Sequence, residues 1–289
     1  MTVSLSESYR LCRLASRRAA SNFYVSILLL PPDKQSAMHA LYAFLRKSDD
    51  LGDGDEPMEA RRQSLAAWRV ELRRALEDRS DDPHLPALVD AVRTYQIPER
   101  LLFDVLDGVE MDLDRFRYET FADLEVYCHR VATAVGLCCI RIWGLAGRQS
   151  FSDPSVIDAA QNCGLAFQLT NVLRDLKEDA ARGRIYLPLE DLRACGYAES
   201  ELLAGVRDER LDRLVRLEVR RADEFFAQGA SLGPRLCDDG RRVLGAMLDT
   251  YGALLEKIDR AGGEVLDRRV RVGQWKKMRI AARWSTARV

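Results

Sequence analysis

The sequence predicts an all-α fold in a single domain, on three observations. Apolar residues recur at three- and four-residue spacing through almost every long stretch, the period of a helix with one buried face. No run of alternating apolar and polar residues bounded by hairpin turns is found, so no sheet is expected. The breaks at 52–57, 78–86, 147–154 and 181–188 are the length of loops rather than of linkers.

Taken in order, 34–50 places Met38, Leu41, Tyr42 and Leu45 on one helical face, and 59–78 reads as an amphipathic helix with a polar side. The stretch 121–147 reads as one long, mostly apolar and therefore buried helix. Helices over 155–179, 210–232 and 241–263 complete the set. The 289 residues are ample for a sizeable core and show neither tandem repeat nor low-complexity segment, so 1–289 reads as one domain.

Composition narrows the function. With 47% hydrophobic and 31% charged residues the chain is ordinary for a globular protein, and a net charge of −1 gives no overall pull toward nucleic acid. Seven scattered cysteines without CxxC spacing predict buried, reduced thiols in a cytoplasmic protein; His39, His84 and His129 form no zinc pattern. The N-terminus lacks an apolar signal core, and runs such as VSILLL (25–30) are far too short to span a bilayer.

The stretch QLTNVLRDLKEDAARGRIYLP (168–188) poses the chemical question. On a helix, Gln168, Asn171, Asp175 and Asp179 share one face, although like charges four apart cost a helix a few tenths of a kcal/mol. A second pair, Asp49 and Asp53 in RKSDDLGD, also closes a helix before a loop, and each pair has an arginine close by, Arg46 and Arg174. Mg²⁺ is usually held by one or two carboxylates plus substrate phosphates. Two facing pairs would hold ions between them, with a diphosphate bridging the ions and the arginines taking the remaining oxygens. Asn171 adds a neutral oxygen and Gln168 a hydrogen bond. The apolar, aromatic stretches HALYAF (39–44) and NCGLAF (162–167) before the acids suggest a greasy tunnel with an acidic mouth. Its ligand is then a long hydrocarbon bearing a diphosphate. Glu110, Asp112 and Asp114 in GVEMDLD read instead as a solvated acidic helix face.

These stretches, with SNFYVSILLLPPDKQSAMHALYAFLRKSDDLGD and YGALLEKIDRAGGEVLDRRV, closely resemble the squalene/phytoene synthase family of head-to-head prenyl synthases, from about Tyr9 to Trp284. The resemblance implies an all-α isoprenoid-synthase bundle around a central apolar cavity. It implies that Asp49, Asp53, Asp175 and Asp179 bind Mg²⁺ (or Mn²⁺) and diphosphate, with Asn171 also touching metal. Arg46, Gln168 and Arg174 match diphosphate contacts; Tyr42 and the segment from Ala19 through Ala20 and Ser21 to Asn22 match substrate-lining positions. Tyr251 matches a tyrosine near the reacting diphosphate and Arg269 a late arginine. Gly52 departs from the relatives' aliphatic or small residue and predicts a looser helix end at Asp53.

The family chemistry ionises one prenyl diphosphate to an allylic cation, which the double bond of a second attacks, giving a cyclopropyl diphosphate and in some members a hydrocarbon. The wording of the sequence looks nearest to bacterial squalene-route enzymes of hopanoid pathways. The expectation is therefore condensation of two farnesyl diphosphates to presqualene diphosphate or onward, with NADPH use left open and downstream isoprenoid enzymes as partners. The alternatives are phytoene synthesis from geranylgeranyl diphosphate and a non-catalytic helical relative binding a lipid or partner. Finally, 268–289 carries eight Lys/Arg and no acid, with Trp275 and Trp284 among them. This suits peripheral contact with an anionic membrane; the competing expectation is that the segment packs on the bundle, tryptophans inward, or frays.

Overall fold

The computed structural model describes residues 3–19, 22–54 and 56–287, and of residues 19, 22 and 23 the backbone only. It is built of helices: α1 (Leu5–Ala19), α2 (Asn22–Ile27), α3 (Pro32–Asp53), α4 (Met58–Leu76), α5 (Leu85–Thr94), α6 (Glu99–Asp114), α7 (Phe121–Cys128), α8 (Ala134–Trp143), α9 (Pro154–Ala181), α10 (Leu189–Ala194), α11 (Glu199–Leu203), α12 (Glu209–Gly229), α13 (Asp238–Ala261) and α14 (Gln274–Thr286). Among the described residues the only extended pairings are isolated bridges, Arg117 to Ile185 and Leu145 to Leu236.

Local chemistry explains the starts of the two acid-bearing helices. Proline occupies the first turn of both, where its missing N–H costs nothing. The α9 cap is Asp153, whose side chain accepts from the Ser155 amide at 2.9 Å. α9 then runs for 28 residues and carries Gln168, Asn171, Asp175 and Asp179 on one side, as their spacing requires.

The expected single helix over 121–147 is interrupted. A π turn, His129–Thr133, separates α7 from α8, and α8 stops at Trp143 because Gly144 takes φ +86. The wide turn lies against two other helices at glycines. A Cβ on Gly164 of α9 would stand 3.0 Å from the Thr133 backbone, and one on Gly108 of α6 would stand 2.6 Å from Val131 Cγ1.

The looser helix end expected at Gly52 is not what the structure has. α3 continues through Gly52 to Asp53, and a Cβ there would meet Val109 Cγ1 at 2.5 Å. The glycine serves a close approach of α3 and α6, which sets Asp53 beside the C-terminal end of α6.

Two apolar clusters fill the bundle. One gathers the inner faces of α3, α5, α6, α8 and α13 with the first half of α9. The other gathers α12 with the second half of α9 and the segments after it. All seven cysteines are free, five of them buried. No helix among the described residues is long and apolar enough to cross a membrane.

Candidate active site

A cavity of about 380 Å³ runs into the bundle between α3, α6, α8 and α9. On α3 the lining side chains are Met38, Leu41, Tyr42, Leu45, Arg46, Asp49 and Asp53, one helical stripe that turns from apolar to charged toward its end. α9 shows the same gradient from Ala160 through Phe167 and Gln168 to Asn171, Asp175 and Asp179. The acids meet at the mouth and the apolar residues line the depth, as the helical spacing anticipates.

The two acid pairs face each other. The Asp53 and Asp112 carboxylates both help to push the Asp179 carboxyl up, after burial and Asp175, to about 7. Burial and Asp53 likewise push Asp49 up to about 7, although Asp49 stands at the open rim and is the less enclosed of the two. Such mutual repulsion of buried carboxylates suits a site built to receive cations.

Four residues without an assigned role in the sequence reading, Asp112, Tyr127, Tyr186 and Arg184, complete the mouth. Asp112 is not on a solvated face. Tyr127 and Tyr186 donate their hydroxyls to its carboxylate at 2.9 and 2.6 Å, and it lines the cavity; burial raises its pKa to about 6. Its neighbours behave as expected, Asp114 pairing with Arg62 at 2.6 Å and Glu110 with Arg69 at 3.0 Å on the outside. Arg184 is buried, donates to Asp53 Oδ1 at 2.8 Å and to the Asp112 carbonyl at 3.2 Å, and thereby ties α3 to α6. Its position follows from the loop after α9: Gly183 turns at φ +73, Ile185 N–H donates to the Phe116 carbonyl at 3.0 Å, and Arg184 N–H donates to the Asp179 carbonyl at 2.8 Å. The signal was present in ARGRIYLP, where a basic residue follows a turn glycine directly after the acids.

The cations form a second group. Arg174 binds its neighbour Asp175 in a fork, at 2.8 and 2.5 Å, and Arg269 reaches the same carboxylate at 2.7 Å. Arg46 lines the cavity and pairs with Asp50 at 2.6 Å. Lys277, on α14, is the unexpected member. It is only 9% exposed, and burial together with Arg174 and Arg271 holds its pKa below the usual lysine range. Tyr251 is buried against Phe167, ring centroids 4.6 Å apart, and close enough to Arg174 to influence its charge. Ala20 and Ser21 lie outside the described residues, and of Asn22 only its place at the start of α2 is described.

The donor set suits a hard cation. All candidate ligands are oxygens, and Asn171 Oδ1 is buried without a hydrogen-bond partner while its amide donates to Gln168 at 3.3 Å. Among the described residues no three His, Cys, Asp or Glu side chains are grouped to hold one ion by themselves. Where Mg²⁺ is shared with a phosphate, one or two carboxylates supply only part of its shell.

An all-α bundle with an apolar cavity and an acidic mouth is the architecture of prenyl synthases. The squalene/phytoene synthase family model matches residues 16–276. The 15-cis-phytoene synthase of Synechococcus elongatus is 36% identical, over 95% of this chain and 91% of its own. The phytoene synthase of Mycobacterium bovis is 34% identical over 96% and 90%. Among solved structures, a dehydrosqualene synthase superposes with a TM-score of 0.87 at 27% identity, covering 98% of this chain and 96% of that one. A squalene synthase from Alicyclobacillus acidocaldarius superposes with a TM-score of 0.82 at 29% identity, covering 91% and 97%. The chain belongs to the squalene/phytoene synthase family of prenyltransferases. The expected nearness of the sequence to squalene-route enzymes is not confirmed: the phytoene synthases are 34–36% identical, the squalene and dehydrosqualene synthases of these structures 27–29%.

Proposed function

We propose that the protein condenses two prenyl diphosphates head to head, giving a cyclopropyl diphosphate and releasing diphosphate. The observation that carries this is the confrontation of Asp49 and Asp53 on α3 with Asp175 and Asp179 on α9 across the mouth of an apolar cavity. These four carboxylates and Asn171 would hold Mg²⁺. When bound, Mg²⁺ neutralises the diphosphate and makes it a better leaving group.

The rest falls to the chain's own residues. Arg46, Arg174, Arg269 and Lys277 place positive charge where a leaving diphosphate gathers negative charge, and Gln168 orients it. Arg184 keeps Asp53 and Asp112 from repelling each other apart. The cavity below, walled by Leu41, Leu45, Val105 and Phe167, keeps water from an allylic cation and holds two hydrocarbon chains side by side. Chemistry of this kind requires no nucleophilic side chain.

Chain length admits two readings. The apolar wall is about 16 Å long on α3, from Asp49 to Met38, and about 22 Å on α9, from Asp175 to Ala160, at 1.5 Å per residue. At about 1.2 Å per backbone bond, an extended farnesyl chain needs ~13 Å and a geranylgeranyl chain ~18 Å. Geranylgeranyl diphosphate, and so phytoene, is supported by the relatives at 34–36% identity. Farnesyl diphosphate, and so presqualene diphosphate or squalene, is supported by the squalene-type structures at TM-scores of 0.82 and 0.87.

The test is incubation with each diphosphate and Mg²⁺, with and without NADPH, followed by mass spectrometry of the extract. The expected result is diphosphate release and a product of doubled chain length from one substrate. Release from neither would overturn the reading and leave a non-catalytic lipid-binding relative.

A further inference from the structure

The C-terminal segment divides its side chains between two environments, and the division points outward. Trp284 is used by the fold: its ring lies against Gly245 of α13, where a Cβ would meet it at 2.3 Å, and its indole N–H donates to Asp249 at 2.5 Å. Val272 is buried, and Lys277 turns in toward Arg174. Trp275 and Met278, three residues apart on α14, stay in solvent at 80% and 54% exposure. Leu28, just past α2, is 50% exposed, and α2 packs directly on α14. Three large apolar side chains therefore stand on one flank of the bundle.

The same flank is basic. Arg268, Arg269 and Arg283 are matched by Glu264, Asp175 and Asp249. Arg271, Lys276 and Arg279 are exposed, and none has an ion pair among the described residues. No acid occurs anywhere in 268–289. Tryptophan and methionine among unpaired cations match a bilayer's interface, where the rings take the headgroup level and the cations meet anionic lipid.

The flank also adjoins the cavity. Ile27 of α2 is buried and lines the cavity wall, and the next residue is the exposed Leu28. α2 has only six residues and packs on α13 and on α14, the helix that carries Trp275, while its last residue lines the cavity.

We propose that Leu28, Trp275 and Met278, with Arg271, Lys276 and Arg279, dock this enzyme on an anionic membrane, so that α2 faces the bilayer and an apolar product leaves past it. The release route rests on the proposed condensation; the docking does not.

Vesicle co-sedimentation tests the docking without any turnover. The full chain is mixed with vesicles of phosphatidylcholine alone and of phosphatidylcholine with phosphatidylglycerol, at low and high salt. Two variants accompany it, W275S/M278S and R271E/K276E/R279E. All five positions are exposed, so both variants should melt with the parent. The expected result is binding to the anionic vesicles that salt weakens, reduced at least about tenfold in each variant. Absence of binding by the parent, equal binding to both lipids, or full binding by either variant would overturn it. So would a dimer in sedimentation velocity that W275S/M278S dissolves, because the face would then serve a second copy of the chain. Diphosphate release in detergent, measured alongside, should be the same in all three proteins; its loss in the parent too would count against the condensation and not against the docking.

Discussion

Arg184 Nη1 lies 2.8 Å from Asp53 Oδ1, a hydrogen-bonded ion pair between the last residue of α3 and the loop that follows α9. Arg182, the C-cap of α9, reaches the same oxygen at 3.4 Å, so two arginines join the end of α3 to the end of α9; Arg184 is the buried one, 7% exposed against 47% for Asp53. The mouth is thus braced by cations of the chain itself.

Arg184→Gln should therefore lower stability by about 1–3 kcal/mol, since Asp53 keeps solvent and Asp112 keeps its two tyrosines. The loss should be larger at pH 8 than at pH 6, because Asp112 and Asp179, the raised acids on which Arg184 acts, are then more fully ionised. Turnover should fall at least tenfold. Denaturant melts at both pH values and initial rates check this; equal melts and near-parent turnover would remove Arg184 from the site.

The acids carry a pH signature of their own. Asp179 and Asp112 have pKa values raised to about 7 and 6, by burial first and by neighbouring carboxylates as well. A carboxyl raised on folding stabilises the protein while protonated. That contribution is complete below the unfolded value near 4 and is lost as pH rises through the folded value. The ligand-free protein should thus lose stability between pH 5 and pH 8, and Asp179→Asn should flatten that slope. Thermal melts across the range decide it; an unchanged slope in Asp179→Asn contradicts the burial of this carboxyl among acids.

How much of this was readable in advance divides along physical lines. The facing pairs, the amides above them and the apolar stretches beneath are spaced at helical periods, so Gln168, Asn171, Asp175 and Asp179 could be placed on one face from the sequence. Asp112 could not be, because GVEMDLD alternates between a pocket and a solvated side, and only the arrival of Tyr127 and Tyr186 makes one of its three acids internal. Arg184 depends on a loop held by hydrogen bonds to a segment far away in the chain, Ile185 N–H to the Phe116 carbonyl at 3.0 Å and Arg117 to the Gly183 carbonyl at 2.6 Å. Periodicity carries no information about such a loop. The π turn at 129–133 is likewise invisible, since its residues, HRVAT, include no glycine or proline to mark a break. Gly52 was noticed, but its reason lies in Val109, far away in the chain.

Gly52 offers a clean packing test. A methyl placed there meets Val109 Cγ1 at 2.5 Å, so Gly52→Ala should cost about 1–3 kcal/mol by overpacking. Val109→Ala in the same chain should recover most of that loss, because the two sites are in contact and their effects are coupled. A double-mutant cycle by urea denaturation measures this; additive losses would mean that the contact is not what constrains the glycine.

Arg174 is poised differently from a surface arginine. It is held in a fork by Asp175 and only 17% exposed. A planar fork serving a phosphate is poorly replaced by a lysine point charge. Arg174→Lys should therefore weaken the affinity for a prenyl diphosphate at least tenfold, read by competition with inorganic diphosphate. An unchanged affinity would assign Arg174 to structure alone.

The central claim is that the two acid pairs act together on one metal–diphosphate assembly, and calorimetric titration of inorganic diphosphate in the presence and absence of Mg²⁺ tests it most directly. The protein should bind diphosphate far more tightly with Mg²⁺, and Asp49→Asn on α3 and Asp175→Asn on α9 should each abolish that gain, with the melting temperature of Asp49→Asn at or above the parent's and that of Asp175→Asn lowered by the loss of its pairs to Arg174 and Arg269. Metal-enhanced binding that survives either substitution undiminished would contradict the account.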